Sequence, residues 1–306
     1  MPTNKFEPLK ITDNFYQLGV REFPMYLSKG DRFMLIEGGT GATTDIVVQQ
    51  LKDLEINPER IDSILLTHTH PDHTGGFPRL RQMWPHVKLI ASSIGKDSLA
   101  NPDFLKQFLF IDKAIAKIMM GKGQIDQIPT PLEKYDFSID QVVKDGDTID
   151  LGAGIEWTVY SAPGHAPCQL ALREKKDETL VIGDTTGFYS PERDIWWPNY
   201  FVSLESYCRT IQKLMSIPAK RVALSHNGVV DNASAYLKRA LKATEKWHLE
   251  MMERVAKGED PKAIAEEKSH WVDSFAGIMP IGLQRDMCEL MIKRSQKDAQ
   301  KPGLFC

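Results

Sequence analysis

The chain has 306 residues, 42% of them hydrophobic and 26% charged, enough apolar content for one large core or two smaller ones. Its net charge of −3 comes from acidic and basic residues spread along the whole length, with no basic cluster dense enough to follow a phosphate backbone. Nucleic acid is therefore excluded as an expected partner. No apolar run approaches a bilayer-spanning length and the opening MPTNKFEPLKITDNF has no signal-peptide core, so a cytoplasmic protein without a membrane partner is expected.

Strands are predicted at Phe15 to Leu18, Met25 to Ser28 and Phe33 to Ile36, the last two joined by a tight turn at Lys29-Gly30-Asp31. The spacing of Ile46, Val47, Leu51 and Leu54 predicts a helix from Thr44 to Leu54, and Ile61 to Leu66 reads as a buried strand. A helix from Phe77 to Met83 and a strand from Val87 to Ala91 follow. Residues 94–131 form a Met-containing helical insertion whose helix ends at Gly121-Lys122-Gly123. Strands resume at Phe137 to Val143, Thr148 to Leu151, Ile155 to Ser161, Gln169 to Arg173 and Thr179 to Ile182; then come a helix from Leu204 to Met215 and a strand from Arg221 to Leu224. After Asn232 the pattern is helical, at Ala233 to Lys257, Pro261 to Lys268 and Gly282 to Ser295, with breaks at Gly258 and Pro280. An opening meander followed by strand–helix alternation predicts mixed sheets in an α/β chain, with residues 1–231 as the strand-rich catalytic body and 232–306 as a helical extension.

The chemistry concentrates in Thr67-His68-Thr69-His70-Pro71-Asp72-His73-Thr74-Gly75-Gly76, directly after the apolar run Ile64-Leu65-Leu66. On an extended segment His68 and His70 point to the same side and can grip one ion together. Pro71 marks the first turn of a helix, which turns Asp72 and His73 toward a second position. Three later segments, each at a predicted strand end, offer further ligands: His165, Asp184 and His226. Five imidazoles and two carboxylates without a thiolate suit zinc, iron or manganese. His86, His248 and His270 have no such company and read as structural or surface residues. The four cysteines show no CxxC pair and suit a reducing compartment.

In this order, His68-x-His70-x-Asp72-His73 followed by His165, Asp184 and His226 resembles the metallo-β-lactamase-fold hydrolase superfamily. The resemblance implies an αββα sandwich of two mixed β-sheets flanked by helices. It implies that His68, His70 and His165 hold one divalent metal ion, that Asp72, His73 and His226 hold another, and that Asp184 bridges them. Zinc is the first expectation, with iron or manganese as alternatives. Asp184 stands where zinc β-lactamases commonly have Cys, and matches instead the glyoxalase II, lactonase and phosphodiesterase branches. The helical insertion and extension are similar to those of glyoxalase II and of quinolone-signal response thioesterases.

The activity so implied is hydrolysis of a thioester, ester or lactone by a metal-bound hydroxide, with Asp72 as the catalytic proton carrier. The partner is a small acyl or lactone molecule, and pairing into a homodimer is left open. A phosphodiesterase with the same ligands, or a regulatory effector that retains the metal site, are the alternatives. A redox diiron protein would need a flavin or rubredoxin module, for which the chain offers neither room nor cysteine pattern. The aromatic stretch after Asp184 supplies candidate substrate contacts at Tyr189, Trp196, Trp197 and Tyr200. Met119, Met120, Trp247, Met251, Met252 and Trp271 are expected to form an apolar lid.

Overall fold

The computed structural model describes residues 6–299 and 301–305. A first sheet takes its strands in chain order: β1 (Leu9–Lys10), β2 (Phe15–Gly19), β3 (Pro24–Lys29), β4 (Phe33–Ile36), β5 (Ile61–Leu65), β6 (Lys88–Ser92) and β7 (Gln141–Val143). Pairing is antiparallel from β1 to β4 and parallel from β4 to β7. The parallel steps need crossovers, supplied by α1 (Thr44–Asp53), by α2 (Pro71–Thr74) with α3 (Phe77–Met83), and by α4 (Ser93–Leu99) with α5 (Pro102–Gly121). The second sheet contains β8 (Thr148–Asp150), β9 (Glu156–Ser161), β10 (Leu170–Glu174) and β11 (Thr179–Val181). A separate hairpin, β12 (Phe188–Ser190) and β13 (Ile195–Trp197), leads to α6 (Leu204–Met215), after which β14 (Arg221–Ala223) and β15 (Val229–Asp231) complete that sheet in the order β15-β14-β11-β10-β9-β8. Three helices close the chain, α7 (Ala233–Ala256), α8 (Pro261–Asp273) and α9 (Ile281–Asp298). Among the described residues no helix is long and apolar enough to cross a membrane.

Period-two alternation decides the layers. On β4, Met34 and Ile36 face the second sheet, where they join Trp157, Val159, Leu172 and Val181 in a core between the sheets. Phe33 and Leu35 turn the other way, to Val47, Leu51, Phe77 and Phe108 of the covering helices. The outer face of the second sheet packs in the same way against α6 to α9 through Leu180, Val222, Ile211 and Leu237. The result is the expected αββα sandwich. Trp157 Nε1 donates to Ser28 Oγ at 2.9 Å and Tyr26 Oη donates to the Leu224 carbonyl at 2.6 Å, so the sheets are also joined by buried polar contacts.

Several elements differ from expectation. The strand predicted from Phe137 pairs only from Gln141, because Phe137 turns into the rings of Phe104 and Phe108 while the Asp140 carboxylate accepts the Leu89 N–H at 2.8 Å. The aromatic stretch after Asp184 forms the β12–β13 hairpin, and neither it nor β15 was foreseen as paired strands. The third helix of the extension starts one residue earlier than expected and the second runs five residues further, to Asp273.

Candidate metal centre

Each predicted ligand follows the carboxyl end of a strand. His68 lies three residues after β5, His165 four after β9, and Asp184 and His226 three after β11 and β14. The loops can be irregular because paired strands hold both sheets behind them. Pro71 opens α2 with His70 as its extended N-cap residue, so the chain changes direction between the two halves of the motif. Gly75 and Gly76 tie the end of that turn to the loop after β4, through N–H bonds to the Gly39 and Gly38 carbonyls at 2.8 and 2.9 Å. A Cβ at Gly75 would lie 2.3 Å from the Gly41 nitrogen, so no larger residue fits the approach.

The seven side chains converge. The nearest ring nitrogens of His70 and His165 are 2.9 Å apart, and a His68 ring nitrogen lies within 4.8 Å of both. Asp72, His73 and His226 form a second set within the same reach. Between them Asp184 Oδ2 lies 3.4 Å from His165 Nε2, 3.5 Å from His226 Nε2 and 3.7 Å from His73 Nε2. That carboxylate thus occupies a position common to both groups.

The far nitrogens are held from behind. His165 Nδ1 faces the Asn199 carbonyl at 2.8 Å and His226 Nδ1 faces the Glu22 carbonyl at 2.6 Å, so each donates there and keeps a lone pair on Nε2. His68 Nδ1 meets Thr67 Oγ1 at 3.0 Å, and that hydroxyl donates onward to Glu37 Oε1 at 2.6 Å. Ser225 Oγ donates to the same oxygen at 2.5 Å, while Glu37 Oε2 stands 3.5 Å from His73 Nδ1. Glu37 is fully buried and left-handed, with φ at 72°, so the fold holds a carboxylate on a strained backbone under the cluster. Sequence reasoning missed it. The available signal was an acid closing the wholly apolar strand Phe33–Ile36 just before Gly38-Gly39.

Electrostatically the cluster calls for positive charge. Burial alone would raise Asp184 and Asp72, yet the surrounding imidazoles, His226 foremost for Asp184 and His73 for Asp72, hold both below the usual carboxylate range. Burial pushes His68 down, helped by His73 and His70, and takes His165 to about 3. His73 moves up against its burial, because Asp72, Glu37 and Asp184 surround it. His68 Nε2, His73 Nε2 and Asp184 Oδ1 are buried without a hydrogen-bond partner among the described residues. Unpaired buried donors and acceptors are costly, and here all three belong to side chains of one cluster of nitrogen and oxygen ligands. The residues present fit a pair of divalent cations.

The site opens into a cavity of about 360 Å³. Its floor is His70, Asp72, His165, Asp184 and His226; its walls are α5 (Phe104, Gln107, Ile111), the hairpin region (Phe188, Trp197, Phe201) and the segment around the start of α9 (Ile278, Met279, Leu283, Met287). No lysine or arginine is among the described residues lining it.

Of the predicted substrate contacts, only Trp197 lies on this wall. Tyr189 stacks on Trp196 at 4.2 Å and both pack on Tyr236, while Tyr200 Oη meets Ser295 Oγ at 2.8 Å inside the helical extension. The expected lid is also corrected. Met119, Trp247 and Met251 are buried in the helical core and Met120 is exposed, and the apolar wall comes from 278–287 instead. His86 and His270 lie away from the cluster, beside Glu59 and Glu266, and His248 packs against Phe305.

Comparison with known proteins agrees with this geometry. Residues 24–226 match the family model described as the metallo-beta-lactamase superfamily. Flavo-diiron protein FprA2 of Clostridium acetobutylicum is 32% identical over 223 residues, covering 65% of this chain and 48% of that protein. Metallo-beta-lactamase fold-containing protein ST1585 of Sulfurisphaera tokodaii is 28% identical over 174 residues, covering 56% and 62%. The matched part thus spans less than two thirds of either relative's length. In fold, BJP-1, a subclass B3 metallo-beta-lactamase of Bradyrhizobium japonicum, superposes with a TM-score of 0.57 at 20% identity, covering 83% of this chain and 97% of that one.

Proposed function

Because the chain belongs to the metallo-beta-lactamase superfamily, we propose that it is a metal-dependent hydrolase of uncharged, apolar thioesters, esters or lactones. The observation that carries the substrate class is the pocket: a mainly aromatic and aliphatic wall with no basic residue, standing over the convergent ligands. A charged group held on that wall, away from the ions, would want an arginine or lysine. An acyl chain wants what the wall supplies.

Two divalent ions at this centre would supply an acidified water and a polarised carbonyl oxygen. The chain's own residues do the rest. His68, His70 and His165 would hold one ion, Asp72, His73 and His226 the other, and Asp184 both. Asp72 lies in the pocket floor, where its carboxylate would orient the attacking water and pass its proton toward the leaving group. Phe188, Trp197, Phe201 and Met279 exclude bulk water and align the acyl chain.

The flavo-diiron relatives support a second reading, a redox role at an iron pair. The two readings separate by assay. Metal-loaded protein is offered p-nitrophenyl acyl esters and acyl thioesters of rising chain length, bis-p-nitrophenyl phosphate and a chromogenic β-lactam. The proposal expects cleavage of the neutral acyl compounds that improves with chain length; preference for the phosphodiester or the β-lactam contradicts it. Iron-dependent oxygen consumption without any hydrolysis would favour the second reading.

A further inference from the structure

α5 has a face that the pocket does not use. Phe104, Gln107 and Ile111 turn to the site, and Phe108, Ile115 and Met119 are buried in the body. The opposite sector presents Leu105, Leu109, Phe110 and Met120 to solvent, Phe110 at 72% exposure. Lys106, Lys113 and Lys117 lie exposed among them. Lys113 and Lys117 have no ion-pair partner among the described residues. After Asp103, which sits in the first turn and pairs with Lys106, the face carries no acid, because Asp112 turns inward to accept the Gly41 N–H at 2.8 Å.

We propose that this face of α5 docks the protein on an anionic lipid surface. A single helix that interleaves large apolar side chains with lysines, two of them without an acidic partner among the described residues, matches a negatively charged, deformable interface: the rings and aliphatic chains enter the headgroup boundary while the ammonium groups reach out to lipid phosphates. Such docking is peripheral and needs no spanning segment, so it departs from the sequence expectation of no membrane partner, which rested on the lack of a spanning run. It also places the pocket beside the interface, since the other side of the same helix lines it. An apolar acyl compound dissolved in the surface would then reach the site around one helix.

The test is co-sedimentation of the full chain with phosphatidylcholine vesicles with and without phosphatidylglycerol. The expected result is binding to the phosphatidylglycerol vesicles that weakens as salt rises. Replacing Lys106, Lys113 and Lys117 together with Gln should weaken it about a hundredfold, at about a factor of five per basic residue. Phe110→Asp should also release the protein. Metal content and circular dichroism of these surface variants should match the parent, which separates this outcome from any failure at the metal centre. Absence of binding to the anionic vesicles, or equal binding by the variants, overturns the proposal. So does a dimer in sedimentation velocity that Phe110→Asp converts to monomer while vesicles bind neither form, a result that would assign the face to a second copy of the chain.

Discussion

Glu37→Gln probes how the cluster is held together. In the parent one carboxylate oxygen accepts both Thr67 Oγ1 and Ser225 Oγ, at 2.6 and 2.5 Å, and the other stands 3.5 Å from His73 Nδ1. A glutamine can keep its carbonyl oxygen on the two hydroxyls, but then its amide N–H group faces His73 Nδ1. His73 answers by accepting at Nδ1 and carrying its proton on Nε2, the nitrogen that faces Asp72 and Asp184. That nitrogen then has no lone pair for a cation. Loss of such a supporting partner typically costs about 10- to 100-fold in metal affinity, or about 1.4–2.7 kcal/mol. Calorimetric titration of chelator-treated protein with zinc measures it directly, with circular dichroism to show that the fold persists. If the folded variant binds zinc within about twofold of the parent, Glu37 does not set the imidazole orientation.

Asp112 offers a test of the insertion's anchorage through pH. Burial pushes its carboxyl up to about 6 from the ordinary 3.8, so the native state holds the proton more tightly than the open chain and stability falls as pH rises through that window. Asp112→Asn keeps an acceptor for the Gly41 N–H; it should be more stable than the parent by about 1–3 kcal/mol at neutral pH and no different well below pH 3.8, and urea denaturation showing a less stable variant at neutral pH would contradict this. Gly164→Ala places a methyl 2.4 Å from Tyr207 Cα at a φ of 136°, one residue before His165. A loss of about 2 kcal/mol or more and a drop in retained metal are expected, and an unchanged melting temperature would refute the tight approach. Met287→Lys puts a cation on the apolar wall and should raise KM for a long-chain acyl substrate by about tenfold with metal content unchanged; an unmoved KM would remove Met287 from the substrate path.

Local patterns carried most of what could be read without coordinates. The histidine motif is contiguous, and its extended-then-helical geometry follows from Pro71, so two half-sites were visible in a few residues. The strands and helices of the body were legible from signals such as the continuous apolar run of β4, buried on both faces, and the helical apolar period of α6. Glu37 was not, since its role arises only when the end of β4 meets Thr67 and Ser225 from distant loops. Asn199 and Glu22 act through backbone carbonyls, which no side-chain pattern announces. The aromatic stretch shows the limit most clearly. Hairpin register pairs Phe188 with Trp197 and Tyr189 with Trp196, so alternation sends the first pair to the pocket and the second to Tyr236 on α7. Composition alone had grouped Tyr189, Trp196 and Trp197 on one surface.

Asp184 is placed to join two cation sites. Chelator-treated protein is loaded with zinc, iron or manganese in turn, passed through a desalting column and analysed for metal per chain. The account predicts two ions per chain for at least one of these metals, and loss of both in Asp184→Ala with the fold intact. Protein that retains no divalent ion under any loading, or an Asp184→Ala variant that keeps both, would contradict it.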